Sequence, residues 1–186
     1  MQSPLLMSAD TSVLVLVDYQ GRLMPAIDNA EHVLARAAFL AEVATLLGVP
    51  VLGTEQSPDK LGPNVEQIAR WCEAALAKDH FGACADGLAA ELQRRYEGRD
   101  EMVIAGCEAH VCLLQSALGL LEAGLRVRVV ADACGSRFES DRALAMSRLA
   151  AAGATIVSAE MVAFEWLTTS RHPRFRDVSA LIKQRD

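Results

Sequence analysis

The chain has 186 residues, with 18 Lys and Arg against 24 Asp and Glu and a formal net charge of −6. That balance excludes a surface built for nucleic acid or anionic membrane, which needs clustered cations; the densest basic stretch, residues 171–176, contains His172 and Pro173 and reads as a solvated C-terminal segment. Five cysteines (Cys72, Cys84, Cys107, Cys112 and Cys134), an odd number with no zinc-type spacing, exclude a disulfide scaffold and a structural zinc site.

Residues 13–17 form a short apolar β-branched run ending at Asp18, the pattern of a buried strand. Asp28 or Asn29 offers an N-cap for a helix to about Leu47. Its apolar face is Val33, Ala37, Leu40, Ala44 and Leu47, and Gly48 is its stop. Residues 49–54 make a second strand, followed by a Pro/Gly-rich loop over 55–64 and a short helix over 65–73. Weak alternation at 76–78 predicts a short edge strand ending in Lys78. A helix over 86–96 ends at Gly98, and residues 102–105 are a strand running into Gly106. From 110 to 123, Leu114, Ala117, Leu118 and Leu121 have helical spacing, with Gly124 as the stop. Residues 127–131 read as a strand, 140–151 as a helix, 155–157 as the last strand, and 160–167 and 175–182 as terminal helices.

Strands that are almost wholly apolar, each followed by a helix, imply a parallel sheet buried on both sides. The expected fold is therefore α/β: a three-layer, doubly wound fold with a mostly parallel sheet covered by helices on both faces. No linker or composition shift divides the chain, so residues 1–186 are expected to form a single domain. No apolar run reaches the roughly 20 residues of a membrane helix. Residues 1–10 lack a basic segment followed by an apolar one. A cytoplasmic protein with reduced thiols is the expectation.

In open α/β sheets, sites form beyond the carboxyl ends of the strands. Three chemically useful residues fall there: Asp18 after the first strand, Lys78 after the weak edge strand, and Cys112 in the first turn of the helix that follows residues 102–105. No G-x-G-x-x-G, P-loop or G-x-S-x-G pattern occurs. A cysteine at a helix N-terminus has its thiolate favoured by the helix dipole, and the free N–H groups there suit an oxyanion. Such a nucleophile needs a proton acceptor and a group to steer it, roles open to Asp18 and Lys78. The residues alone leave alternatives standing. Cys112 also fits a buried small hydrophobe, Asp18 a turn carboxylate and Lys78 a solvated lysine.

Taken together, several segments carry a resemblance: Leu14-Val-Leu-Val-Asp-Tyr-Gln20, Gly53-Thr-Glu-Gln56, Ala77-Lys-Asp-His-Phe81, and Ile104-Ala-Gly-Cys-Glu-Ala-His-Val-Cys112 continuing to Gln115-Ser-Ala117. Val130-Ala-Asp-Ala133, Ser136-Arg137 and His172-Pro173 follow in order. Over nearly its full length the chain resembles the isochorismatase-like cysteine hydrolases, in particular the isochorismatase-domain-containing proteins. The resemblance implies a catalytic set of Asp18, Lys78 and Cys112. It also implies a non-proline cis peptide at Cys107–Glu108, with the backbone N–H groups of Glu108 and Cys112 as the oxyanion hole. Gln20, Gln56 and Phe81 would then contact substrate.

The nicotinamidase branch of that family binds a metal through an Asp and histidines. His32, His80, His110 and His172 lack that arrangement, so no metal and no cofactor are expected, and neither nicotinamide nor isochorismate carries over as substrate. His110 lies two residues before Cys112, and i and i+2 face apart on a helix, so it is not expected to be the direct base. The implied activity is hydrolysis of a small-molecule amide or related C–N bond through a thioacyl intermediate. The competing classes are a weakly catalytic or non-catalytic metabolite-binding protein and a thiol redox sensor. Members of the family self-associate, and the apolar residues 161–167 offer an interface for a homo-oligomer.

Overall fold

The structure is a computed structural model that describes residues 5–184, so the first four positions of the segment screened for a leader lie outside the described residues. Six strands, β1 (Ser12–Val17), β2 (Val51–Gln56), β3 (Ala74–Lys78), β4 (Glu101–Gly106), β5 (Arg126–Val130) and β6 (Thr155–Val157), form one sheet in the order β3-β2-β1-β4-β5-β6. Every neighbouring pair is parallel. All residues of the central strands β1 and β4 are buried, which is why their sequences are continuous apolar runs rather than alternating ones. Edge strand β3 buries one side only: Ala75 and Ala77 are exposed while Lys78 is buried. That half-exposure accounts for its weak sequence signal.

The helices are α1 (Ala30–Leu46), α2 (Pro58–Leu61), α3 (Glu66–Ala69), α4 (Leu88–Arg95), α5 (Leu114–Glu122), α6 (Glu139–Ala151), α7 (Ala159–Leu167) and α8 (Phe175–Lys183). Helices α1, α7 and α8 contact one another, as do α5 and α6, giving the helical layers of the expected α/β fold. Asn29 does occupy the N-cap position of α1, but with φ 51° and no side-chain cap bond. The predicted 65–73 helix shrinks to the single turn of α3. The predicted 86–96 helix is interrupted at Gly87 (φ 93°), which separates a 3₁₀ turn, Ala83–Asp86, from α4. Among the described residues, no helix is long and apolar enough to cross a membrane.

Chain order matters for the site. The chain lays down β1, β2 and β3 outward on one side, then returns to place β4 against the other side of β1. The strand order therefore reverses between β1 and β4, the switch point beyond whose carboxyl ends open α/β sheets carry their sites. Gly106 closes β4 there against Val17: a Cβ at this position would sit 2.4 Å from the Val17 carbonyl oxygen and 2.5 Å from its Cβ. A methyl group has no room without moving the end of β1, which leads directly into Asp18. Gly106→Ala is expected to lower stability by about 1–3 kcal/mol, measured by urea unfolding; an unchanged midpoint would contradict the close packing.

Candidate active site

Asp18 follows β1 in the left-handed region, at φ 55°. A non-glycine residue there carries about 1–3 kcal/mol of strain and persists only where its surroundings hold it. Here the Asp18 N–H donates to the Thr54 carbonyl oxygen (3.2 Å) and the Thr54 hydroxyl donates to Asp18 Oδ1 (2.6 Å). Asp18 Oδ2 lies 2.8 Å from Lys78 Nζ, and both side chains are fully buried. Burying two charges is tolerable only when each is paired and the remaining hydrogen-bonding positions are filled.

Lys78 meets that condition. Its Nζ also donates to Gln56 Oε1 (2.6 Å) and to the carbonyl oxygens of Phe81 (3.1 Å) and His80 (3.3 Å). Those two carbonyls belong to a tight loop shaped by Asp86. Its Oδ2 accepts the N–H groups of His80 (2.9 Å) and Asp79 (3.2 Å), and its Oδ1 lies 3.1 Å from His80 Nδ1. The side-chain bond from His80, then its N–H, holds the Asp86 carboxyl below the usual carboxylate range. Lys78 is thus no solvated lysine: the edge strand carries it, and the side chain is buried against Asp18.

Cys112 lies in a π-helical turn, Ala109–Leu113, that precedes α5; the Leu113 N–H reaches back five residues to the Glu108 carbonyl (3.2 Å). The Cys107–Glu108 peptide is cis. The turn is anchored on both sides by Cys107 N–H to the Val17 carbonyl (3.0 Å) and Ala109 N–H to the Gly135 carbonyl (2.7 Å). Cys112 is buried, and its Sγ lies 3.8 Å from Gln56 Oε1. Here the structure departs from the helix-dipole argument. Burial, followed by the charge of Asp18, pushes the Cys112 thiol up to about 12, and Lys78 only partly opposes this. Desolvation is the largest of these influences, and it disfavours the thiolate.

The other predicted contacts sort differently. Gln20 is fully buried, and its amide clamps the strand end beside it. Nε2 donates to the carbonyls of Gln56 (3.0 Å) and Gly62 (2.6 Å), while Oε1 accepts the Gln56 N–H (2.8 Å). Its side chain is thereby committed to the protein's own backbone. Gln56 sits among the three candidate catalytic side chains. Phe81 contributes its carbonyl to Lys78, while the residue is 55% exposed and lines an open surface cavity of about 580 Å³ with Asp79, His80, Gly82 and Gln115. The His110 imidazole turns to the Ser136 hydroxyl (2.9 Å). Thr54 and Asp86 were missed in sequence. Thr54 had one signal: it is a polar residue in an apolar strand, and its register partner Val17 immediately precedes Asp18.

All five thiols are free. Burial raises Cys72, Cys112 and Cys134 from an ordinary 9.0 to about 12. A neutral form favoured by folding stabilises fully below the unfolded value and is lost as pH climbs through the folded one. The urea midpoint is therefore expected to hold up to pH ~9 and fall between there and pH ~12. A midpoint that rose across that window would reverse the sign.

Comparison with known proteins places the chain in a family. The isochorismatase domain model matches residues 12–161. The human isochorismatase domain-containing protein 2 is 37% identical over 174 residues, covering 94% of this chain and 84% of that protein. The chain belongs to the isochorismatase family. Its members are generally hydrolases. The MAR1 ribonuclease of Caenorhabditis elegans superposes on this isochorismatase domain with a TM-score of 0.89 at 30% identity, covering 96% of this chain and 92% of that one. YcaC of Escherichia coli, described as an octameric hydrolase of unknown specificity, shares the fold with a TM-score of 0.85 at 21% identity over the whole of both chains. In this isochorismatase domain Asp18, Lys78 and Cys112 come from the carboxyl ends of β1 and β3 and from the turn after β4.

Proposed function

We propose that the protein is a cysteine hydrolase of a small-molecule amide or related C–N bond. The observation that carries the reading is the buried Asp18–Lys78 pair, 2.8 Å apart, whose Lys78 also donates to Gln56 Oε1, the oxygen that faces Cys112 Sγ. A thiol with its ordinary acidity suppressed is a poor nucleophile unless a base takes its proton as it attacks. Asp18 is that base. As Sγ bonds to the substrate carbonyl carbon, the proton passes to Asp18 and the carbonyl oxygen gains the negative charge. The backbone N–H groups of Glu108 and Cys112 receive that charge as the oxyanion hole. Collapse breaks the C–N bond, and the amine leaves with the proton from Asp18. Water then attacks the thioester with Asp18 as base again, releasing the acid and restoring the thiol. Lys78 holds the carboxylate in place at 2.8 Å. No metal or cofactor enters this sequence.

Beside Phe81, a cavity of about 580 Å³ lined by the 79–85 segment and α5, and not by Asp18, Lys78 or Cys112, is of a size for a small molecule. The C. elegans relative is called a ribonuclease, but the net charge of −6 here counts against phosphate-backbone binding. Self-association and a reducing, cytoplasmic setting complete the proposal. The exposed Met161 and Phe164 on α7 offer an apolar contact, the E. coli relative is an octamer, and the five thiols are unpaired. The test is a panel of amides, esters and a short RNA incubated with the protein, followed by mass analysis of the Cys112 peptide. An acyl adduct that forms and decays with turnover is expected. Turnover without any adduct, or cleavage of RNA alone, would overturn the reading, and binding without turnover would favour a metabolite-binding protein.

A further inference from the structure

Gln56 touches both the candidate cation and the candidate nucleophile, and its orientation is set without reference to either role. An ammonium can only donate, so the atom 2.6 Å from Lys78 Nζ is the carboxamide oxygen. A carbonyl can only accept, so the atom 2.8 Å from the Asp79 carbonyl is the carboxamide nitrogen. The two ends are therefore assigned by their partners. Rotation of the backbone beneath them is blocked by the reciprocal pair of bonds with the buried Gln20 amide. The consequence is that an acceptor, never a donor, faces Cys112 Sγ at 3.8 Å. An S–H group has a partner there. A thiolate at the same place meets the negative end of a fixed dipole, in addition to the carboxylate of Asp18.

We propose that Gln56 is a positioning residue that holds Cys112 as a neutral thiol in the empty site and ties Lys78 to Asp18, so that proton transfer waits for a carbonyl substrate. This rests on the Cys112, Asp18 and Lys78 assignment above, and it replaces substrate contact as the work of the Gln56 side chain. The charged groups facing Cys112 are Asp18 from the end of β1, which opposes ionisation, and Lys78 from the end of β3, which favours it. Gln56 spends one of the few donors of Lys78 on its own oxygen. Removing the carboxamide both deletes the acceptor next to Sγ and frees a Lys78 N–H to turn toward the sulfur. Both effects act in the same direction, toward a more reactive cysteine at rest.

Two measurements test this. In the unaltered protein near neutral pH, the infrared difference against Cys112→Ser is expected to contain an S–H stretch at the lowered frequency of a hydrogen-bonded thiol. Absence of the band, or a band at the position of a free thiol, would overturn the proposal without any change at Gln56. In Gln56→Met, alkylation by iodoacetamide, followed at the Cys112 peptide by mass spectrometry, is expected to be about tenfold faster at mildly alkaline pH than in the parent, while kcat for a turned-over substrate falls. An equal or slower alkylation rate would refute it. Alkylation does not depend on turnover, so the two readings fail separately. If the Cys112 peptide never carries an acyl group, the hydrolase reading fails while the alkylation difference stands. If the adduct forms normally but the alkylation rates coincide, Gln56 has no such role.

Discussion

Cys112→Ala is expected to lower kcat by at least about 10³-fold on any substrate the parent hydrolyses, with a stability loss of only about 1 kcal/mol. The asymmetry follows from what the sulfur touches. Its neighbour at 3.8 Å, Gln56 Oε1, keeps its stronger bond to Lys78, so no buried polar group is stranded when the thiol is removed. The chemistry, by contrast, loses the atom that forms the covalent bond, and neither Asp18 nor Lys78 can replace it. Parent-like turnover in the alanine variant, measured beside its thermal unfolding, would remove the nucleophile from the site.

Lys78→Met has a different signature, because it should cost both turnover and stability. Asp18 is fully buried, and its charge is balanced by Lys78 Nζ at 2.8 Å; Asp18 also accepts the Thr54 hydroxyl, and its N–H donates to the Thr54 carbonyl. Removing the ammonium leaves an uncompensated carboxylate in the interior, at a cost of about 3–5 kcal/mol. The carbonyls of His80 and Phe81 lose their donor at the same time. Neutralising the stranded charge in the double variant Asp18→Asn/Lys78→Met is expected to recover most of that loss, since the carboxamide oxygen introduced there would still accept the Thr54 hydroxyl bond. Activity should not return. Denaturant unfolding of the three variants (Lys78→Met, Asp18→Asn and the double) beside the parent makes the comparison. A double variant no more stable than Lys78→Met would mean that Lys78 supports the fold through the 79–81 loop rather than through Asp18.

Much of this site was readable in the chain because it hangs on strand ends. Asp18 is covalently the next residue after an apolar run whose length and β-branching mark a strand buried on both faces. Cys112 lies a turn beyond another such run, so position along the chain already placed both at the carboxyl edge of a sheet. Lys78 was weakly marked for a physical reason: β3 is an edge strand, it is partly open to solvent, and its composition carries little periodicity. Nothing local in the sequence shows that the Gln20 amide finds the Gln56 backbone, 36 residues away. The break at Gly87 and the widened turn at 109–113 also escaped, since helical spacing of apolar residues does not distinguish an α-helix from its irregular ends.

The sequence by itself determined the architecture, because apolar runs and turn residues are local properties that survive in any register, and its family resemblance named the candidate chemistry. The tertiary structure alone decided the state of those groups. Strand order β3-β2-β1 brings Lys78 across Thr54 and Gln56 to a buried Asp18, and return of the chain to β4 sets Cys112 beside that pair. Whether a lysine is solvated or paired, and whether a cysteine rests as thiol or thiolate, depends on desolvation and on charges far away in sequence, and those are fixed only when the sheet has closed around them.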